Sequence, residues 1–194
     1  LNLADADVAA GAARKMASSG APADVVVSVW VDSANDEPRR GIDEAVASVG
    51  GEGSAYLVTG SVPVRNERHR APVGERTPGM AHVAFFRRPA HQSEQDWLDI
   101  WLNSHTQIAI DTQDTFGYVQ NVVCRVLTEG ATPWDAIVEE LFPPEAMADQ
   151  AAFFDAVGDP ERQARNEQAM FASVQRFIDL ATIDVVPTSQ YPMT

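Results

Sequence analysis

A single cysteine, Cys124, stands in 194 residues. It excludes an internal disulfide, and the apolar run around it reads as the setting of a buried thiol. Basic residues are also scarce: 14 Lys and Arg face 28 Asp and Glu, for a formal net charge of -14. Such an acidic surface repels phosphate backbones and anionic lipid, which argues against nucleic acid and membrane surfaces as partners. No apolar run approaches the ~20 residues needed to span a bilayer. No glycine-rich phosphate loop, dinucleotide fingerprint or G-x-S-x-G elbow occurs. The histidines at 69, 82, 91 and 105 have no close metal-ligand spacing. Neither a metal nor another cofactor is therefore expected. What is present is a chain that is 45% hydrophobic, enough for a real core. With no signal peptide in view, the expectation is a reducing, cytoplasmic setting.

Along the chain, Asp24–Asp32 (DVVVSVWVD) is a dense β-branched run and reads as a buried strand. Arg39–Val49 has helical apolar spacing and stops at Gly50-Gly51, and Ala55–Val64 reads as a second strand with Pro63 near its end. Arg65–Gly79 is a polar connector punctuated by Pro and Gly. Its arginines either steer an anionic substrate or pair with acidic neighbours.

The second half shows a fuller rhythm. Strands are expected at Met80–Arg87, Tyr118–Leu127, Asp135–Phe142 and within Ile178–Pro187. Helices are expected at Ser93–Asp111, Pro144–Ala156 and Pro160–Val174, with Ser93 as the N-cap of the first. The order is βαββαβ. The first half matches the later part of such a unit, so the fold class expected is α+β: two ferredoxin-like repeats, the first incomplete, building one intramolecular α/β barrel. The divisions are 1–66, a 67–78 linker and 79–194. About 30 residues, the size of a βα segment with its loops, would then precede Leu1.

The chemistry concentrates at Asp96–Val123. Trp97, Trp101 and His105 are spaced by four and share a helical face. His105 is a general acid/base candidate because imidazole titrates near ~6.5; alternatively it bonds a neighbouring strand and fixes its helix. Tyr118 and Asn121, in a strand that opens on polar residues, are candidates for binding substrate oxygens. Glu139 and Glu140 are adjacent on a strand and must point to opposite faces. The inward one, taken as Glu139, would orient His105 or act as a base. Alternatively, one faces solvent and the other pairs with an arginine such as Arg87. His82 is a secondary site candidate, and Trp101 could stack on an aromatic ligand or simply pack in the core. Trp30 and Trp134 are expected in the core or at its edge.

Trp101-x3-His105, followed by Tyr118–Asn121 (YVQN), Ile137–Phe142 (IVEELF) and Phe177–Leu180 (FIDL), resembles the EthD family over about Gly79–Pro187. The resemblance implies a ferredoxin-like unit of the dimeric α/β-barrel superfamily, with two sheets facing each other between repeats or between chains, so that a homodimer is compatible with it. Family members are associated with ether degradation by a cytochrome oxygenase system. Relatives act as polyketide cyclases, dehydratases or cofactor-independent monooxygenases. The expectation is a cofactor-independent enzyme on a small apolar or aromatic molecule, with His105 moving protons. The rival expectations are a non-catalytic ligand-binding accessory protein and a structural barrel with a filled interior.

Overall fold

The computed structural model describes residues 1–20, 22–48 and 53–194. The expected Gly50-Gly51 helix stop lies outside the described residues. In chain order the elements are β1 (Asn2–Leu3), a 3₁₀ segment (Ala6–Arg14), β2 (Met16–Ala17), β3 (Val25–Val26), α1 (Asp36–Ser48), β4 (Tyr56–Val64) and β5 (Met80–Phe86). Then come α2 (Glu94–Ile100), a π-helical turn (Trp101–His105), α3 (Thr106–Thr112), β6 (Gly117–Val126) and β7 (Ala136–Phe142). A 3₁₀ turn (Pro144–Met147), α4 (Gln150–Phe153), α5 (Pro160–Val174), a 3₁₀ turn (Leu180–Thr182) and β8 (Asp184–Gln190) complete the chain.

The class is α+β, and the strands form a curled antiparallel sheet shaped as a half-barrel. Its order is β3-β1-β8-β5-β7-β6-β4, with β2 also on β8. The segment from β5 to β8 is the βαββαβ unit read from the second half, with the strands ordered β8-β5-β7-β6. The first half extends the same sheet at both ends: β1 and β2 pair with β8, β3 pairs with β1, and β4 pairs with β6.

Alternation along the strands fixes the two faces. Met80, Ala84, Phe86, Tyr118, Ala136, Val138, Phe142 and Val185 pack with Trp97, Trp101, Ala109 and Phe177 in the main core. This is the face that the helices cover. Phe86 meets Trp101 edge-on at 5.2 Å between centroids, and Trp97 donates its indole N–H to Phe177 O at 3.1 Å. Both tryptophans are thus core residues with a satisfied or enclosed indole, each burial worth ~1.5–3 kcal/mol or more. The opposite, barrel-side face holds Val83 and Phe85 with Trp134.

Two expectations fail. The run Asp24–Asp32 is not a buried strand. Only Val25–Val26 pairs, with β1 at the sheet edge, and Trp30 is 88% exposed. An edge strand has a neighbour on one side only, so β-branched composition did not bring burial with it. Cys124 is exposed rather than buried. Leu57 pairs with Arg125 but Val58 with Val123, so Cys124 is the extra residue of a β-bulge, beyond the last residue of β6 that pairs with β7.

Candidate functional site

The long helix expected at Ser93–Asp111 is present, but broken. Ser93 caps it, its hydroxyl accepting from Asp96 N–H at 3.1 Å. The Trp101–His105 segment is wound as a π-helical turn. Thr106 N–H and Thr106 Oγ1 (2.9 Å) both donate to Trp101 O, and Gln120 Nε2 donates to Thr106 Oγ1 at 2.7 Å. The turn is therefore tied to β6. Single π-turns inside helices recur at functional sites, and this one holds both residues of the Trp101-x3-His105 pattern.

The His105 side chain meets α5. Its Nδ1 lies 3.0 Å from Ser173 Oγ, and its ring is 4.6 Å from that of Phe177. Arg176 donates to Ser173 Oγ at 2.9 Å and to Ser104 Oγ at 3.0 Å. Burial, reinforced by the Arg176 charge, lowers the His105 pKa to about 4. The imidazole is neutral near pH 7 and bridges two helices.

Glu139 is on the barrel side. Its carboxylate accepts from Asn2 Nδ2 at 3.0 Å and from Gln190 Nε2, and Thr77 Oγ1 donates to Gln190 Oε1 at 2.8 Å. Asn121 is on that side too, donating to Ile137 O at 3.2 Å. His105 and Glu139 thus lie on opposite faces of the sheet, as do Tyr118 and Asn121.

The helix face assembles a different set. His82, Glu140 and Tyr118 are consecutive neighbours across β5, β7 and β6: His82 is in register with Glu140, and Glu140 with Tyr118. Cross-strand neighbours of this kind lie ~5 Å apart at Cβ. Burial alone raises the Glu140 pKa to about 7, with no cation offsetting it. Burial also raises the Tyr118 phenol, the nearby Glu140 charge adding to the effect and hydrogen bonds with Trp101, Gln120 and Thr106 opposing it. His82 is lowered to about 4 by burial and then by the Arg14 guanidinium, a backbone hydrogen bond with Arg14 acting the other way. His82 Nε2 is buried with no hydrogen-bond partner. The rings of Phe142 and Phe153 meet His82 edge-on at 6.1 and 5.9 Å. Arg14 stacks over Phe153 at 4.1 Å and donates to Ala146 O at 2.8 Å, which holds the N-terminal 3₁₀ segment against this corner.

Residues 89–181, just under half of the chain, match the EthD domain. The chain carries an EthD domain. No curated protein matches it. Trp101, His105, Tyr118 and Glu140 all lie within the EthD match, whereas His82 and Arg14 lie before it.

Strand alternation puts His82 on the face of Ala84 and Phe86. Glu139, the carboxylate taken as inward from the sequence, does face the barrel side, but there it is separated from His105, and Glu140 is the one that shares the face of His82. Apolar residues occupy both parities of β7, Ile137 and Leu141 against Ala136, Val138 and Phe142. The available signal was the larger core partner set at the even positions. The described residues enclose cavities that include the following two. One, of about 320 Å³, lies beyond β7 and is lined by Arg68, Asp114, Pro143, Glu145, Ala152 and Arg162 among others. The other, of about 270 Å³, is lined by Ser19, Arg87, Thr132, Trp134 and Thr182 among others. Among the described residues, no group of three or more His, Cys, Asp or Glu is placed to hold a metal ion, and no helix is long and apolar enough to cross a membrane.

Proposed function

We propose that this EthD-domain protein is a cofactor-independent enzyme acting on a small apolar or aromatic molecule, with Glu140 as its general base. The observation that carries the reading is the carboxyl of Glu140. It sits half-buried on the helix face with a pKa near 7, between a histidine with an unpartnered Nε2 and a phenol. A general base works best when its pKa lies near the operating pH. Strongly perturbed titratable groups gathered at one place are what a reaction site requires.

In this reading the base takes a proton from an acidic O–H or C–H of the substrate. The resulting phenolate or enolate is stabilised by its own conjugation. It then expels hydroxide, closes a ring, or passes electrons to dioxygen. Tyr118 stays protonated and donates to a substrate oxygen. Phe142 and Phe153 supply apolar walls. The 320 Å³ cavity touches Pro143 and Ala152, the chain neighbours of those two rings, and offers the approach. His105, neutral and spanning the helix pair, positions the π-turn instead of reacting.

The test is turnover of a panel of hydroxylated aromatics and anthrone-like compounds under air, followed by mass spectrometry and oxygen uptake. Conversion should vanish in Glu140→Gln and persist in His105→Ala. Loss in His105→Ala alone would return the acid/base role to the imidazole. Binding without conversion in every variant would favour a ligand-binding accessory protein.

A further inference from the structure

The Asp24–Asp32 run carries five large apolar side chains that the fold leaves in water. Val25, Val27, Val29 and Val31 are 53%, 52%, 51% and 42% exposed, and Trp30 is 88% exposed. Soluble monomers rarely leave so dense an apolar patch open. β3 is also the terminal strand of the sheet, bonded to β1 on one side. Ala4 N–H donates to Asp24 O at 2.8 Å, so the backbone polar groups of Asp24 and Val26 turn toward β1. By strand alternation those of Val25 point out of the sheet, as do those of Val27, Val29 and Val31 when the strand continues.

The sequence of this edge is nearly palindromic. From either end, DVVVSVWVD reads Asp, Val, a large apolar residue, Val, with Ser28 at the centre. We propose that Val25–Val31 pairs with the same segment of a second copy of this chain, antiparallel about a two-fold axis at Ser28. Two half-barrel sheets would join edge to edge.

The register follows from the alternation. Val25 faces Val31, Val27 faces Val29, and Val26 faces Trp30. The outward-pointing odd residues exchange the backbone hydrogen bonds. Ser28 meets its own copy as a non-hydrogen-bonded pair, with Cα atoms ~4.5 Å apart. Valine–valine and valine–tryptophan pairs are among those that stabilise a sheet. The five side chains offer roughly 500 Å² of apolar surface per copy. Pairing therefore buries at most on the order of 1,000 Å², the lower bound for a specific interface, so a weak, reversible dimer is expected. An isologous contact of this kind closes at two copies. Asp24 faces Asp32 at each end, a like-charge pair that weakens the contact.

Sedimentation velocity on the purified protein tests this, with far-UV circular dichroism to show that each variant folds. A monomer–dimer equilibrium in the micromolar range is expected. Val27→Lys combined with Val29→Lys should raise the dissociation constant at least about tenfold, and Asp32→Asn should lower it. In a Cys124→Ser background, Ser28→Cys should form an interchain disulfide on mild oxidation, and Ser33→Cys should not. A monomer at about 100 μM, well above any micromolar constant, overturns the proposal. So does a dimer that ignores both lysines and fails to cross-link at position 28, because another face then carries it. Growth past the dimer that the lysines abolish overturns it as well, because the edge then pairs with a different strand.

Discussion

His82 on β5 and Glu140 on β7 stand opposite each other in register, on the sheet face that the helices cover. One is a base made weaker by burial and the other an acid made weaker by burial, so near pH 6 both are neutral. The pair needs no counter-ion in that state. As pH rises, it becomes charged when Glu140 loses its proton, and this is the step a general base requires. The catalytic prediction is therefore a rate that climbs with pH through about 7. Glu140→Gln should lower kcat/KM by at least ~10²-fold and remove that rise. A pH–rate profile of the two proteins on one converted substrate checks it. A profile in Glu140→Gln that keeps its inflection near 7 would assign the titration elsewhere.

The same groups shape stability. Glu140 has a folded pKa above its ordinary 4.5, so the native state holds its proton longer than the unfolded chain does. Its contribution is full below about 4.5 and is lost as pH rises to about 7. The histidines act in the opposite sense. His82 and His105 have folded values near 4 against 6.5, so their contribution is present above 6.5 and is lost as pH falls toward 4. Glu140→Gln should thus gain on the parent protein as pH rises from 4.5 to 7, by on the order of 3 kcal/mol at most, because the residue keeps partial contact with water. Urea titrations at pH 4.5 and 7.5 measure the difference. A gap that is constant with pH would mean that Glu140 titrates normally.

Most of the second half was legible because its strands and helices carry period-specific patterns that local residues and core packing both support. Pro160–Val174 has a proline at its first turn and an aspartate before it, and the helix spans those residues. The first half misled because a run such as DVVVSVWVD states β preference without stating what covers it. Burial is a property of neighbours, and β3 has a partner on one side only. The site was half legible for a related reason. Alternation tells which residues share a face, so His82 with Phe86 and Tyr118 with Gln120 follow from position alone. It does not tell which face receives the helices, and that choice separates Glu140 from Glu139. The π-turn had no sequence signal: its extra residue is stabilised by Gln120 reaching Thr106 from 14 positions away.

His105 ties the π-turn to α5 through Ser173, so its loss should act on stability. His105→Ala removes a buried ring packed on Phe177 and leaves Ser173 Oγ with Arg176 alone. A loss of about 2–4 kcal/mol in urea unfolding is expected from the cavity and the lost bond together. kcat should fall less than about threefold at 25 °C, since only positioning is affected. A selective collapse of kcat with unchanged unfolding would show that the imidazole itself reacts.

Gly79 precedes β5 with φ of 99°, and a Cβ there would lie 2.0 Å from Phe142 O. Both constraints are backbone constraints, so no side-chain rearrangement relieves them. Gly79→Ala should cost more than about 4 kcal/mol and leave little soluble protein. Gly74, with φ of 79° and open space around it, serves as the control. Its alanine variant should lose only about 1 kcal/mol, the ordinary cost of a left-handed residue. Equal losses at the two positions in thermal unfolding would show that the Phe142 carbonyl yields.

Thr106 joins the π-turn to the sheet through one hydroxyl. That oxygen donates to Trp101 O and accepts from Gln120, whose side chain is 3% exposed. Thr106→Val keeps the shape and removes both bonds, leaving a buried amide donor unpaired at a cost of about 1–3 kcal/mol. Thr106→Ser keeps both bonds and should cost under about 1 kcal/mol, for one lost methyl. Because Trp101 O is held by this residue alone among the contacts described for the turn, the valine variant should also lose hydrogen-exchange protection at Thr106 N–H while the α5 amides keep theirs. If serine and valine prove equally destabilising, packing of the threonine methyl carries the site, and the turn owes its register to Trp101 in the core.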